Sequence, residues 1–597
     1  MNPFSKHIPG GATFVALKAA AIVGAAAFAF SPAIHGSWLW DDPAEIAENP
    51  ILRDPAGLWK IWSGRAGQDF FPLTTSVRWV QWHLWGDQVA GYHLTNLALH
   101  VLSALLLWRL LLKLGAGPAA WLGGLLFAVH PLTVESVAWI SELKNVLSLP
   151  LLLLAMLAFV AYDEKKVGLG GPARPFVIDN QTVENRNQKP AERAAGRDRP
   201  ALPPYLLSVL LFLLSMLAKP SGVMLPGVFL LYAWWRRGRV GTRDLLAVAP
   251  FFAISLVLGL VTIHFQTTRA MGNLPMPADT FATRVAMAAA APLFYLYKVV
   301  LPVNLLPIYP RWLAPGLVPW ALAGWAAIVA GLAWCWTRRA TWGRHALFGF
   351  GSFLLCLAPV LGIIPMAYLQ ISRVADHLAY LPLVSLVSLA AAGLSKWHGR
   401  PAHVIKENTG GMPVLPSAFT FVVAALLALS SRHYAANFKS EESLWTYTLQ
   451  RNPDAWLAQN NLGIVLAKSG RFDEAILHGE QAVRLEPNLA GAHFNLGHAL
   501  LAAGRVSDAV VQFEETLRLQ PDNPEAPKAL AVAHNNLANA FARTGRFAEA
   551  VGEFGKALSF DPGNAGIHRN LGHALQSTGQ LREAATQFGE ADRLERK

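Results

Sequence analysis

Apolar runs long enough to cross a bilayer recur along most of this chain and constrain its fold more than any other feature. Eleven such runs stand at residues 14–34, 93–113, 119–137, 145–161, 203–218, 220–235, 245–264, 318–336, 346–364, 378–395 and 415–431. A spanning helix needs about 20 mostly apolar residues, because the bilayer core offers no water to exposed backbone groups. Only 15% of the residues are charged, against about 25% in an ordinary soluble domain. We therefore predict an all-α, polytopic transmembrane bundle with about eleven crossings.

The loops between these runs differ in charge, and the difference predicts the orientation of the chain. Lysine and arginine cluster at 165–199, 236–243, 338–344 and 396–406, whereas loop 35–92 carries seven acidic residues against four basic ones. Because basic loops stay in the cytoplasm, we predict a multi-pass protein of the inner (cytoplasmic) membrane with a cytoplasmic N-terminus. Loop 35–92 and the C-terminal region then face the periplasm. The net charge of +12 is mainly this orientation signal, so no nucleic-acid partner is predicted.

Two segments affect this orientation, because each adds a crossing if it spans the membrane. Residues 285–303 form a twelfth apolar stretch, which Lys298 and Pro302 interrupt. We interpret it as a re-entrant or interfacial segment, because a further crossing would put the basic loops on both sides of the membrane. Residues 1–30 are interpreted as an uncleaved first helix for the same reason.

The last quarter of the chain is internally repeated. The tripeptides that share a register are Asn461-Leu462-Gly463, Asn495-Leu496-Gly497, Asn536-Leu537-Ala538 and Asn570-Leu571-Gly572. Their spacings of 34, 41 and 34 residues match the tetratricopeptide repeat, a helix–turn–helix unit of about 34 residues. We predict a transmembrane domain over 1–435, with a disordered cytoplasmic insert at 163–203, followed by a tetratricopeptide α-solenoid over 436–597.

Two adjacent carboxylates, Asp41 and Asp42, follow the first apolar run at its predicted outer end. An acidic pair at the mouth of a membrane bundle is costly to keep unless it performs chemistry or binds a cation. One carboxylate could be the general base in transfer to a hydroxyl, and the pair could bind a divalent cation such as Mg²⁺ or Mn²⁺. The alternative is a solvated loop or a helix cap.

A second predicted outer loop, residues 130–145, carries several polar groups between two apolar runs. Glu135 could complete an acidic cluster with the aspartates, and His130 could join it. Lys144 offers a point charge for a phosphate. The alternative is an ordinary amphipathic re-entrant helix.

Polar groups also lie on the second apolar run. His93 and Asn96, followed by His100, have helical spacing and predict a polar face that either contacts substrate or bonds neighbouring helices. No third ligand accompanies the histidines, so they define no metal site.

Three more groups would add positive charge on the outer side, namely Lys219, Arg373 and His377. A bare cation near an apolar span costs about 2–3 kcal/mol, which the phosphate of an anionic lipid would offset. Snorkelling of Lys219 to the interface is the alternative.

Several short motifs, in their order along the chain, resemble one known family. They are Asp41-Asp42, Tyr92-His93-Leu94-Thr95-Asn96, His130-Pro131, Lys219-Pro220, Tyr309-Pro310 and Tyr380-Leu381-Pro382. With the trailing repeats they resemble the TMTC proteins, the transmembrane and tetratricopeptide-repeat O-mannosyltransferases, and the chain looks like a bacterial relative. The resemblance covers nearly the whole chain apart from 163–203. It implies a GT-C-type fold and inverting transfer of a sugar from a polyprenyl-phosphate donor.

The resemblance also implies roles for individual residues. Asp41 or Asp42 would be the catalytic carboxylate, and Glu135 the second acidic group. The chain departs from the family at Phe71-Pro72-Leu73 and at Asp376-His377-Leu378, where relatives tend to carry an arginine. Arg373 is the expected replacement.

The asparagines that open each repeat motif resemble the ladder with which tetratricopeptide arrays hold peptide backbones. They are Asn461, Asn495, Asn536 and Asn570. An amide both donates and accepts, so a row of amides could hold an extended chain without reading its side chains. Plain packing between helices is the alternative.

Together these features predict a membrane glycosyltransferase. It would move a sugar from an undecaprenyl-phosphate-like lipid to Ser/Thr hydroxyls of exported proteins, which the repeats recruit. Two alternatives stay open. One is a ligase that transfers a whole oligosaccharide, and the other is a non-catalytic membrane scaffold for a surface or secretion complex.

Overall fold

The computed structural model describes residues 11–65, 67, 69–167, 203–271, 280–312, 317–398 and 415–596. Over these ranges the chain is predominantly helical and contains no β-strand. Most of the predicted insert at 163–203 lies outside the described residues. The chain divides into two compact units, residues 1–440 and 441–597, five residues beyond the boundary predicted from sequence.

The first unit contains seventeen described α-helices. They are α1 (Gly11–Phe30), α2 (Pro50–Arg53), α3 (Gly57–Trp62), α4 (Pro72–Trp85), α5 (Val89–Lys113), α6 (Ala120–Val129), α7 (Val134–Ala138), α8 (Leu143–Val167), α9 (Pro204–Ala218), α10 (Leu225–Arg237), α11 (Thr242–Phe265), α12 (Phe281–Met287), α13 (Ala290–Val300), α14 (Leu317–Thr337), α15 (Gly343–Leu357), α16 (Tyr380–His398) and α17 (Leu415–Ala435).

Eight helices in the described residues are long and apolar enough to cross a membrane, and a bent pair, Gly117–Val129 with Pro131–Ala138, would make a ninth. The sequence predicted eleven. The two remaining runs form α9 and α10, of 15 and 13 residues. At 1.5 Å per residue they reach about 20–22 Å, short of the roughly 30 Å hydrocarbon core. The stretch at 285–303 forms only α12 and α13, of 7 and 11 residues.

The bend of 54° between α6 and α7 turns the chain back into the bundle. Pro131 has no N–H to continue the helix, and His130 Nδ1 accepts the N–H of Leu132 (3.2 Å) in its place. The chain then runs through α7 and the 3₁₀ turn Ile140–Glu142 before α8 begins. Nearly every residue of this segment is buried, so its polar side chains lie inside the protein.

The first outer loop packs on this segment. Trp40, in a left-handed conformation (φ 54°), stacks on Trp139 with ring centroids 4.7 Å apart. Trp59 on α3 is 72% exposed, as expected of an indole at a bilayer interface.

The end of the first unit also contacts this loop. The 3₁₀ turn Ala436–Lys439 follows α17, and Lys439 O accepts the backbone N–H of Ser37 (2.9 Å) and its hydroxyl (3.3 Å). Gly36 fits this contact because a Cβ there would stand 3.0 Å from Phe438 O. The segment that leads to Asp41 is therefore held by the 3₁₀ turn that follows α17.

The second unit is a helical repeat array. It contains α18 (Glu441–Leu449), α19 (Trp456–Lys468), α20 (Phe472–Leu485), α21 (Ala490–Ala502), α22 (Val506–Leu519), α23 (Ala526–Arg543), α24 (Phe547–Phe560), α25 (Ala565–Ser577) and α26 (Leu581–Glu595). Helices α19 to α26 form four antiparallel pairs. The turn glycines Gly470, Gly504, Gly545 and Gly579 all have φ near +80°, which favours glycine. The predicted repeats are confirmed.

Candidate active site

Asp42 is held firmly by the protein. Its Oδ2 accepts the N–H of Leu39 (2.9 Å), and its Oδ1 accepts the N–H and the hydroxyl of Ser141 (2.8 and 2.5 Å). Burial and the neighbouring Asp41 raise the pKa of Asp42, and these hydrogen bonds oppose the rise. Both oxygens of this buried carboxylate are satisfied, so Asp42 fixes the outer loop to the turn that contains Ser141.

Asp41 differs from its neighbour. Its Oδ1 is shielded from solvent and has no hydrogen-bond partner among the described residues. Burial raises the pKa of Asp41, and the negative charge of Glu45 raises it further. The positive charges of Lys144 and Arg78 lower it. A positioned carboxylate oxygen with open acceptor capacity is what a general base requires. The geometry thus separates two aspartates that are equivalent in the sequence.

Arg78, buried on α4, joins the two sides of this site. Its Nη1 donates to Glu45 Oε2, and its Nη2 donates to Ser141 O (2.8 Å). Glu45 lies one turn after Asp41, and its N–H donates to Asp41 O (2.8 Å). Arg78 therefore holds the turn that carries Asp41 against the turn that holds Asp42.

Glu142 lies between two lysines. Lys144 Nζ is 3.1 Å from Glu142 Oε1, and Lys219 Nζ is 3.5 Å from Oε2. Glu142 is almost fully buried, whereas the side chains of Lys144 and Lys219 keep 18% and 16% exposure. Two ammonium groups that meet the two oxygens of one carboxylate are also spaced to meet two oxygens of one phosphate.

Asp69 extends the same charged region. Gln266 Nε2 donates to Asp69 Oδ1 (2.6 Å), and Gln266 Oε1 accepts the N–H of Ala367 (3.1 Å). Burial raises the pKa of Asp69, and the charges of Lys144 and Lys219 lower it. Asp69 is therefore within electrostatic reach of both lysines.

Glu135 belongs to a second polar cluster. Its Oε2 accepts the backbone N–H of His377 (2.9 Å), and its Oε1 lies 2.8 Å from His377 Nδ1. Beside it, Asp376 accepts the hydroxyls of Tyr309 (2.8 Å) and Tyr434 (3.2 Å). Glu135 therefore holds the 376–379 turn through His377, and the catalytic role predicted for Glu135 stays a prediction.

Asn145 connects the two clusters. Its Nδ2 lies within hydrogen-bond distance of Ser136 Oγ (3.2 Å), His377 O (3.1 Å) and Glu142 Oε2. The predicted catalytic and substrate residues Asp41, Asp42, Lys144 and Lys219 therefore meet in one region, and Glu135 and His377 lie beside it. Arg373 is partly buried in the segment before the turn Asp376–Ala379.

The predicted histidines have different surroundings. His100 Nδ1 lies 2.8 Å from Tyr380 Oη and Nε2 lies 3.1 Å from Ala128 O, so it bonds neighbouring helices. His130 Nε2 lies 3.1 Å from Val299 O, and its Nδ1 serves the bend before α7, which leaves no ring nitrogen for a substrate. By contrast, both ring nitrogens of His93 are buried without a partner among the described residues.

Asn96, one turn along α5 from His93, contacts the site directly. Its Nδ2 donates to Trp139 O (3.2 Å), and its Oδ1 is buried and unpaired in the described part of the chain. Asn96 therefore supports the turn that carries Ser141.

The carboxylates of the site fit ion pairs better than a resident metal ion. Glu45 faces Arg78, and Glu142 faces Lys144 and Lys219. Across the described ranges, no three His, Cys, Asp or Glu side chains come close enough to share a metal. The divalent cation expected from Asp41-Asp42 stays a prediction.

In the repeat array, asparagines of successive first helices contact one another. Asn495 Nδ2 donates to Asn460 Oδ1 (2.9 Å), Asn460 Nδ2 donates to Asn461 Oδ1 (3.0 Å), and Asn570 Nδ2 donates to Asn535 Oδ1 (3.1 Å). Asn536 is exposed. The observed row thus includes Asn460 and Asn535, each one position before the predicted asparagines.

Sequence reasoning missed Arg78, Ser141, Asn145 and Asp69 as site residues. Arg78 stands 33 residues after Glu45 in a helix whose tryptophans suggest an interfacial role. The one available signal was its position as a single arginine among the apolar residues of α4, since a buried arginine requires a carboxylate partner.

Comparison with known proteins supports the repeat assignment and identifies distant relatives. Residues 425–490, 466–533 and 538–579 match tetratricopeptide-repeat families. Mouse protein O-mannosyl-transferase TMTC3 is 22% identical over 79% of this chain, and the Drosophila melanogaster protein O-mannosyl-transferase Tmtc3 is 24% identical over 76%. This chain is a relative of the TMTC family.

The relationship is distant, and it covers part of each relative. The chain spans about half the length of these two proteins, 51% and 54%. Drosophila Tmtc2 is 31% identical over 25% of this chain. Among solved structures, the crystal structure of MamA aligns with this chain at 21% identity and a TM-score of 0.22. The alignment covers 26% of this chain and 86% of MamA.

Proposed function

We propose that this TMTC relative is an inverting membrane glycosyltransferase that moves a sugar from a polyprenyl-phosphate donor to a Ser/Thr hydroxyl of an exported protein. The names of the relatives support a protein O-mannosyltransferase. The observation that carries the proposal is the arrangement around Ser141. Ser141 binds Asp42 and directly precedes Glu142, which pairs with Lys144 and Lys219. The unpaired Asp41 oxygen and the two lysines therefore lie in one region.

In this reaction Asp41 takes the proton of the acceptor hydroxyl. The hydroxyl oxygen forms a bond to the anomeric carbon of the sugar, and the bond from that carbon to the phosphate oxygen breaks. Lys144 and Lys219 neutralise the charge that develops on the leaving phosphate. A single displacement with the base on one side and the leaving group on the other inverts the anomeric carbon.

The site and the repeat array are proposed to face the periplasm, and the repeats to recruit the acceptor. This orientation would place both the lipid-linked donor and exported proteins on one side of the membrane. The direct test is intact-mass glycoproteomics of exported proteins with and without the gene. Loss of one hexose-sized mass from several exported proteins is the expected result, whereas unchanged masses would favour the scaffold alternative.

The pH dependence of transfer tests the role of Asp41. The base must be deprotonated, and its pKa is raised, so activity should fall on the acid side at a higher pH than an ordinary aspartate would give. Since the Lys144 ammonium favours the Asp41 carboxylate, Lys144→Gln should raise this pKa and move the acid limb of kcat/KM to higher pH. The exposed Lys60→Gln is the matched control, and a limb that moves equally in both variants would contradict the assignment.

Acceptor capture by the repeats can be measured separately. Asn495→Ala removes a bond worth about 0.5–1.5 kcal/mol and the amide offered to a peptide backbone. We expect acceptor binding to weaken about three- to tenfold in a titration with full-length protein, with transfer to a short soluble peptide unchanged. Asn488→Ala, on an exposed loop of the same array, is the control. Equal binding by both variants would assign the asparagines to helix packing.

A further inference from the structure

We propose that Glu142 is a release residue, whose fixed negative charge between Lys144 and Lys219 weakens binding of the phosphate that transfer leaves behind. This inference rests on the proposed function, because it concerns the phosphate end of the same donor. It assigns to Glu142 a role distinct from those of the base and the phosphate-binding lysines.

Three contacts keep Glu142 in place. Oε1 is held by Lys144 (3.1 Å), while Oε2 faces Lys219 (3.5 Å) and Asn145 Nδ2. Asn145 is itself fixed by Ser136 Oγ (3.2 Å) and His377 O (3.1 Å). At 1% exposure, Glu142 cannot turn toward solvent, so a phosphate that reaches the lysines meets its charge at close range.

Charge accounts for the direction of the effect. A sugar phosphodiester carries one negative charge, whereas the monoester left after transfer carries about 1.5 to 2 near neutral pH. Coulomb repulsion scales with the product of the charges. Glu142 therefore disfavours the product more strongly than the donor. The other charged groups near the lysines are Asp41, Glu45, Asp69 and Arg78, and none of them lies between the two ammonium groups as Glu142 does.

Glu142→Gln in the full-length protein, purified in detergent, tests the inference by binding alone. The probes are a short-chain prenyl monophosphate, its methyl diester and the prenyl alcohol. We expect the variant to bind the monophosphate at least tenfold more tightly than the wild type, with a smaller gain for the diester and none for the alcohol. In turnover, inhibition by the monophosphate should strengthen by a similar factor and kcat should fall. Inorganic phosphate as a competitor shows whether the headgroup suffices without the lipid chain.

Glu48→Gln, at an exposed position of the first outer loop, is the control and should change none of these values. Unchanged or weaker monophosphate binding by Glu142→Gln overturns the inference. If that variant does not fold, Glu142→Asp takes its place, because its shorter side chain draws the charge back from the two lysines. The monophosphate should then bind more tightly than it does to the wild type while the alcohol does not, and unchanged or weaker monophosphate binding overturns the inference. Should no sugar donor support transfer while the binding results hold, the proposed function fails and the control of phosphate affinity by Glu142 stands.

Discussion

Asp41→Asn should reduce sugar transfer by about a hundred- to ten-thousandfold while leaving the thermal melting of the protein in detergent nearly unchanged. An amide cannot accept the proton of the acceptor hydroxyl, and general bases contribute rate factors of this size. Stability should be preserved because Asp41 Oδ1 has no partner to lose among the described residues. Initial rates with a lipid-linked sugar and an acceptor peptide, together with a melting curve, measure both effects.

Asp42→Asn is the matched control for this prediction. The carboxylate of Asp42 accepts the N–H groups of Leu39 and Ser141. In the variant, the amide NH₂ would face one of these N–H groups, and that hydrogen bond would be lost. Hydrogen bonds to charged groups contribute about 1.5–3 kcal/mol each, so this variant should melt at lower temperature. A stable, inactive Asp42→Asn beside an active Asp41→Asn would exchange the roles of the two residues.

Arg78→Met should have the second largest effect, with a loss of both stability and activity. Removing one partner of a fully buried ion pair costs about 3–5 kcal/mol. Since the Glu45 side chain is 39% exposed, we expect the free energy of unfolding to fall by about 2–3 kcal/mol. Transfer should fall about a hundredfold in the folded fraction, because the turn that carries Asp41 loses its link to Ser141 and small displacements of a catalytic group are costly.

Two further variants interpret the Arg78 result. Lys60→Gln breaks the exposed pair with Asp54 in the same loop and should cost less than about 1 kcal/mol with normal activity. Arg78→Lys keeps the charge but cannot reach Glu45 and Ser141 O together, so an intermediate rate is expected. Full activity of Arg78→Met would show that the turn is held by Ser141 and Asp42 alone.

The parts of this fold that depend on local pattern were predictable. The repeats follow from a motif that recurs after 34, 41 and 34 residues, and the membrane spans follow from the length of the apolar runs. Two of the eleven predicted crossings became the short helices α9 and α10. Hydropathy does not register the break at Lys219 and the 3₁₀ turn Pro220–Met224 that separates them.

Only some residues of this region could be predicted from the sequence, and their partners could not. Asp41, Asp42, Lys144 and Lys219 stand out as polar groups beside apolar runs, and the structure brings them together. Their partners are set by tertiary packing: Asp42 meets Ser141 across 99 residues, and Glu135 meets His377 across 242. The pairing of Glu135 with this distant histidine could not be predicted from the sequence, because 242 residues separate them.

The contact between Ser37 and Lys439 decides where a protein without its repeats should be cut. Stopping after residue 435, at the boundary that the sequence suggests, would remove the carbonyl that receives both hydrogen bonds of Ser37, four residues before the proposed base Asp41. Ending the chain after Ser440 would keep that support. Activity of the longer truncation on a soluble peptide, and its absence from the shorter one, would then reflect the anchoring of the base and not the loss of acceptor capture.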